Sequence, residues 1–197
     1  MRGTAVVCAT LAAGALMAGC GGGERQDADE PSGEYRLDVT RASFPSEQRL
    51  AASATMAIDV TNAGDARAPN VAVTIETEPQ NKGQAPVAFG QRSADGELAD
   101  SARPVWILDR GPRGAEAAYT NTWALGALES GQSKRFRWKL TAVQPGNYTI
   151  GYRVSPGLDD KARLAEDSTD TKGFFTVRID DSPVQARVGE DGEVVRE

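Results

Sequence analysis

The chain has 197 residues, 40% hydrophobic and 25% charged, an ordinary globular composition with room for one domain and flanking segments. Its formal charge is −6, and because Arg2 is the one charged residue among 1–19, removing that stretch leaves −7; this acidic balance excludes non-specific attraction to nucleic acid. There is no histidine, which removes the commonest general base and metal ligand together, and the two cysteines, Cys8 and Cys20, lie outside the globular part, so no disulfide staples the core.

Met1 and Arg2 make a minimal positive start. Residues 4–18 are an apolar run rich in Ala, Val and Leu. At about 15 residues the run is short for a spanning helix, which needs about 20, and it fits the apolar region of a secretory signal. It ends in Leu16-Met17-Ala18-Gly19-Cys20. These residues resemble the lipobox of bacterial lipoproteins, with Met17 where Leu, Val or Ile is usual. The resemblance implies that the Cys20 thiol is acylated and that 1–19 is cleaved off as a signal peptide. Residues 20–34 are acidic and rich in Gly, Pro and Ser. They read as a flexible linker from the lipid anchor, spanning about 20 Å as a random coil.

The globular part, 35–180, alternates with period 2 and shows no sustained helical period. A first strand is expected over 35–40, broken by Phe44-Pro45. Residues 50–61 and 70–76 bury Met56, Ile58 and Val60 and then Val71, Val73 and Ile75. With the turn Asn62-Ala63-Gly64-Asp65 between them they read as an antiparallel hairpin. Residues 78–102 read as a long loop with Val87-Ala88-Phe89 as a short strand. Strands follow over 105–109, with Trp106, and over 119–125, with Trp123 inward. Residues 134–142 point Phe136, Trp138 and Leu140 inward and Arg135, Arg137 and Lys139 outward. Residues 147–155 bury Tyr148, Ile150, Tyr152 and Val154. A polar loop over 158–172 leads to a last strand over 174–180, with Phe175, Val177 and Ile179 inward. Residues 181–197 form a C-terminal hairpin or tail around Gly189–Gly192.

The fold class is therefore all-β, an antiparallel sandwich of about seven to nine strands. The segments IDVTNAGDARAPNVAVTIE and LGALESGQSKRFRWKLTAVQPGNYTIGYRV resemble the immunoglobulin-like repeat domains of bacterial surface proteins, including the cell-adhesion-related type. The resemblance covers about 35–180 but matches at its two ends only, and 78–118 departs from it. It implies an immunoglobulin-like topology and a surface role. It carries no catalytic residue over. Pro145-Gly146-Asn147-Tyr148 also resembles a tyrosine corner, in which the hydroxyl bonds upstream backbone.

Candidate chemistry is sparse. Asp159, Asp160, Glu166, Asp167 and Asp170 cluster, but Lys161 and Arg163 interrupt them and their spacing fits no calcium loop. They read as a solvated loop. Immunoglobulin topology sets Arg135, Arg137 and Lys139 on one sheet and Arg153 and Arg178 on the other, so no polyanion site is expected, and Asp59 and Asp38 lie near the first group. No catalytic, cofactor or metal residue is assigned, and the one modification site is Cys20. The sequence reads as a lipid-anchored extracytoplasmic binding or spacer module of the cell envelope, not an enzyme. Its partners are the membrane, through the anchor, and an unidentified envelope protein or ligand. The alternatives are a secreted enzyme with its site in 78–118, favoured by a convergent polar pocket there, and an envelope assembly protein.

Overall fold

A computed structural model describes residues 30–77, 88–90, 104–183, 186–188, 190 and 193–196. The expected signal peptide, Cys20 and most of the expected linker lie outside them. Among the described residues there is no helix. The strands are β1 (Gly33–Tyr35), β2 (Leu37–Ser43), β3 (Glu47–Arg49), β4 (Ser53–Asn62), β5 (Ala72–Thr77), β6 (Phe89–Gly90), β7 (Trp106–Arg110), β8 (Glu116–Tyr119), β9 (Thr122–Ala124), β10 (Ser133–Ala142), β11 (Gly146–Ser155), β12 (Ala162–Leu164), β13 (Lys172–Asp180), β14 (Ala186–Val188) and β15 (Val194–Arg196).

Two sheets face each other. One has the order β2-β4-β10-β7-β6 and the other β3-β13-β11-β5-β9-β8. The main pairings are antiparallel, but β3 runs parallel to β13 and β6 parallel to β7. The strand count exceeds the expected seven to nine because short edge strands add to both sheets. Phe44-Pro45 does break the first strand. After the break the chain changes sheets and returns as β3 beside β13. The arrangement is an immunoglobulin-like sandwich with one change of order. A variable-type domain fills the edge beside its third strand before it crosses to the edge beside its fifth. Here β7 joins β10 first, and β8 and β9 join β5 afterwards.

The core follows the alternation in the sequence. Met56, Ile58 and Val60 from β4, and Phe136, Trp138 and Leu140 from β10, are fully buried. They meet Val73, Ile75, Ile150 and Val154 from the opposite sheet, and Val71 just before it. Aromatic rings run through the centre: Trp123 lies 5.5 Å from Trp138, Trp106 5.7 Å from Tyr148, and Phe44 5.5 Å from Trp106. The buried Trp106 indole N–H donates to Gln48 Oε1 at 2.8 Å, which meets the need of a polar atom out of water.

The expected hairpin over 55–76 does not form. β4 pairs with β2 and β10, whereas β5 pairs with β11 and β9, so residues 62–72 arch from one sheet to the other. The loop's backbone groups bond elsewhere. The Ala68 N–H and C=O both pair with Leu128 at 3.0 Å, and the Val71 N–H donates to Gly126 O at 2.9 Å. Alternation fixes which face of a strand is buried, and both runs bury the expected face. It does not fix which strand lies alongside.

The tyrosine corner forms. The Tyr148 hydroxyl donates to the Pro145 carbonyl at 3.0 Å, and burial pushes its pKa up. Tyr148→Phe is expected to cost about 0.5–1.5 kcal/mol, the range of one hydrogen bond, in denaturant melts. An unchanged midpoint would show that the hydroxyl contributes nothing.

Residues 30–34, expected in the flexible linker, are docked on the body. β1 runs parallel to β12, pairing Gly33 with Ala162 and Tyr35 with Leu164. Glu30 is only 8% exposed, and its Oε2 accepts the Leu158 N–H at 2.7 Å. The polar loop over 158–172 thus contains a strand, and it receives the incoming chain. At the other terminus β14 and β15 pair antiparallel with each other.

Candidate functional site

The sandwich is open on one side. There β6 and β7 end one sheet and the β8–β9 hairpin ends the other. Gly111-Pro112 and Gly114, which has φ +75°, carry the chain from β7 to β8. A glycine there adopts a left-handed turn that a side chain would strain. Between the two edges lies a cleft of about 670 Å³.

The described walls of the cleft mix apolar side chains with polar atoms. Phe89 and Trp123 form its floor with ring centroids 5.8 Å apart, and Leu108, Pro112, Ala115 and Ala117 complete the sides. Gly111 lies beside the Trp123 indole, where a Cβ would make an ordinary contact at 3.4 Å from Nε1. Tyr119, half exposed, stands at the lip with Thr120 and Asn121. Asn121 holds the hairpin tip in a left-handed conformation, φ 58°, which asparagine tolerates. Its carbonyl accepts the Ile75 N–H at 2.9 Å, which ties the tip to the sheet. Among the described lining residues there is no carboxylate, lysine or arginine. The arrangement offers apolar surface beside polar atoms, including those of Thr120 and Asn121. Its volume is in the range of small-ligand pockets.

The residues singled out in the sequence fall elsewhere. The acidic cluster is dispersed: Asp159 bridges Lys161 at 2.6 Å, Asp167 bridges Arg36 at 3.2 Å, and the Asp170 carbonyl accepts the Tyr152 hydroxyl at 3.2 Å. The Lys161 contacts hold the Asp159 carboxyl below the usual carboxylate range. Among the described residues no three His, Cys, Asp or Glu side chains are arranged to hold a metal. The cationic residues divide between the two sheets as the topology requires. Arg135 forms a bidentate pair with Asp59 directly across the strands, at 2.6 Å, and Arg153 meets Glu76 at 2.8 Å on the other face. Lys134, its pKa lowered by burial and then by Arg67, donates to the Leu125 and Ala127 carbonyls and so closes the turn before β10. Of the 78–118 stretch, residues 78–87 and 91–103 lie outside the described part. Its described residues supply Phe89, Leu108 and the hairpin arm that line the cleft. The sequence marked Phe89 as part of a strand and Trp123 as inward. It held no signal that they would meet.

No protein-family model matches the chain, and no curated protein matches it. Solved structures share the architecture at low similarity. The CARDB domain of a Pyrococcus furiosus protein, crystallised in complex with di-metal ions, aligns at TM-score 0.44 and 16% identity, over 76% of this chain and 96% of that one. Alpha-2-macroglobulin from Escherichia coli aligns at TM-score 0.43 and 12% identity, over 81% of this chain and 21% of that one. Beta-glucosidase from Listeria innocua aligns at TM-score 0.37 and 16% identity, over 77% of this chain and 16% of that one. Likenesses this distant carry no argument about activity or partners.

Proposed function

We propose that this chain is a lipid-anchored extracytoplasmic binding module, held at the membrane through an acylated Cys20, with the cleft between the sheet edges as its contact site. The sequence Leu16-Met17-Ala18-Gly19-Cys20 after an apolar run supports the anchor. One observation carries the binding half: a cleft floored by Phe89 and Trp123 and without a described charged side chain. The Phe89 and Trp123 rings favour an apolar, uncharged group, which is desolvated at little cost. The ligand or partner side chain is accordingly neutral and apolar where it enters.

A neutral hydrophobic fluorophore, N-phenyl-1-naphthylamine, probes the cleft directly. Saturable binding is expected, and Ala117→Glu should weaken it at least about tenfold, because about 1.4 kcal/mol of lost desolvation already gives that factor. Ala117 is exposed at the cleft wall, so the variant should keep its melting temperature. Binding that is absent, or unchanged in Ala117→Glu, would remove the cleft as the contact site.

A further inference from the structure

We infer that the docked N-terminal arm sets the direction in which the anchored domain faces: the end carrying the 155–172 loop lies next to the membrane and the opposite end points away. The inference rests on the anchor proposed above, but its geometry is that of the fold.

The register of the strands defines two ends. Leu37, Asn62 and Ser133 lie together at one end of the first sheet. Ala72, Ser155 and Lys172 lie at the same end of the second. The arm enters here. Glu30 is seated against Gly157, where a Cβ would come within 2.5 Å of Glu30 Oε2 and 2.8 Å of Ala162 Cβ, so a larger residue there would push the Glu30 carboxylate off its seat. The Gly33 N–H donates to Lys161 O at 3.1 Å, the Ala165 N–H to Tyr35 O at 2.9 Å, and the Leu37 N–H to Ser168 Oγ at 3.2 Å. Asp180, the start of the C-terminal segment, is at the other end, beside Arg49.

Tether length then decides the orientation. If the chain were free to residue 34, the fifteen steps from Cys20 to Tyr35 would reach about 50 Å fully stretched. That exceeds the strand length of the sandwich, since ten-residue strands such as β10 span about 33 Å. The domain could invert and bring either end to the bilayer. With the arm docked from Glu30, the ten steps from Cys20 reach about 35 Å at full stretch. Inversion then requires a fully stretched tether, and the 155–172 end stays proximal. The Thr120-Asn121 tip of the cleft points the other way, because Thr74 pairs with Thr122 while Ala72, nearer the arm, pairs with Ala124. The cleft rim is therefore presented away from the membrane.

The test uses chain 20–197 coupled through its Cys20 thiol to a maleimide lipid in phosphatidylcholine vesicles, so its outcome does not depend on whether cells acylate Cys20. A donor fluorophore is placed by unnatural amino acid at the exposed Glu166, near the arm, or at the exposed Asp181, far from it, with acceptor lipids in the bilayer surface. Energy transfer from position 166 should exceed that from 181 by at least about threefold, given the tether lengths above. Glu30→Ala and Gly157→Val free the arm by different means, and each should bring the ratio toward one. Thermal melts check that each variant remains folded. Equal transfer from the two positions in the unmodified arm, or a ratio unmoved in both folded variants, would overturn the inference. Acylation in cells is measured separately on the mature N-terminus, so loss of the anchor and loss of the orientation are distinct results.

Discussion

Trp138→Ala should cost about 3–5 kcal/mol of folding stability, measured by denaturant unfolding, because a large buried ring is replaced by a cavity that its surroundings cannot refill. Trp138 is fully buried at the middle of β10. It stacks with Phe136 at 5.9 Å, meets Trp123 edge-on at 5.5 Å, and faces Met56 across the strands. These neighbours belong to both sheets, so the cavity would open at their junction. Among the described residues no partner meets its buried indole N–H. Trp138→Phe removes that orphan donor and keeps most of the ring volume. It should therefore cost less than about 1.5 kcal/mol, near a volume-conserving swap. The contrast between the two variants is the informative quantity. Similar losses in both would mean that the indole N–H is satisfied and that ring volume is not what matters there.

Asn62→Leu should be the most damaging polar replacement, at about 2–4 kcal/mol. Asn62 is fully buried at the end of β4, where the chain leaves one sheet for the other. Its Nδ2 donates to the Ala66 and Leu128 carbonyls, each at 2.8 Å, and its Oδ1 accepts the Gly64 N–H at 3.0 Å. One side chain thus ties the 62–72 arch to itself and to the loop before β10. Leucine fills a similar volume but leaves those backbone groups without partners, and an unsatisfied buried group costs about 1–3 kcal/mol. The loss should be accompanied by faster hydrogen exchange at Ala68 and Leu128, whose mutual bonds depend on the arch. A melt within about 0.5 kcal/mol of wild type would show that the arch is held without Asn62.

Asn62 marks the boundary between what was legible in the sequence and what was not. Period-2 alternation around Met56, Val73, Phe136 and Ile150 gave the buried face of every long strand, because burial of one face is a local property. The division of the cationic residues between sheets came instead from the resemblance to immunoglobulin-like domains, whose strand order implies it, and the structure agrees. The partner of each strand is a non-local property. Asn62-Ala63-Gly64-Asp65 has turn composition whether it closes a hairpin or begins an arch, and the hydrogen bond from Nδ2 to Leu128 spans 66 residues. The strap of β1 on β12 was hidden for a related reason. Three-residue strands have no period to detect, and Glu30 looks like a solvated linker residue until Leu158 supplies its partner. The cleft depends on the same long-range geometry, because Phe89 and Trp123 come from opposite sheets.

The anchor is the claim on which the placement of the whole domain depends, and intact-mass and peptide mass spectrometry of the mature chain tests it most directly. The account predicts that the mature protein begins at Cys20, that its first residue carries a diacylglyceryl group, and that Cys20→Ser abolishes both. A mature N-terminus at any other residue, or an unmodified Cys20 in the wild-type protein, would contradict it.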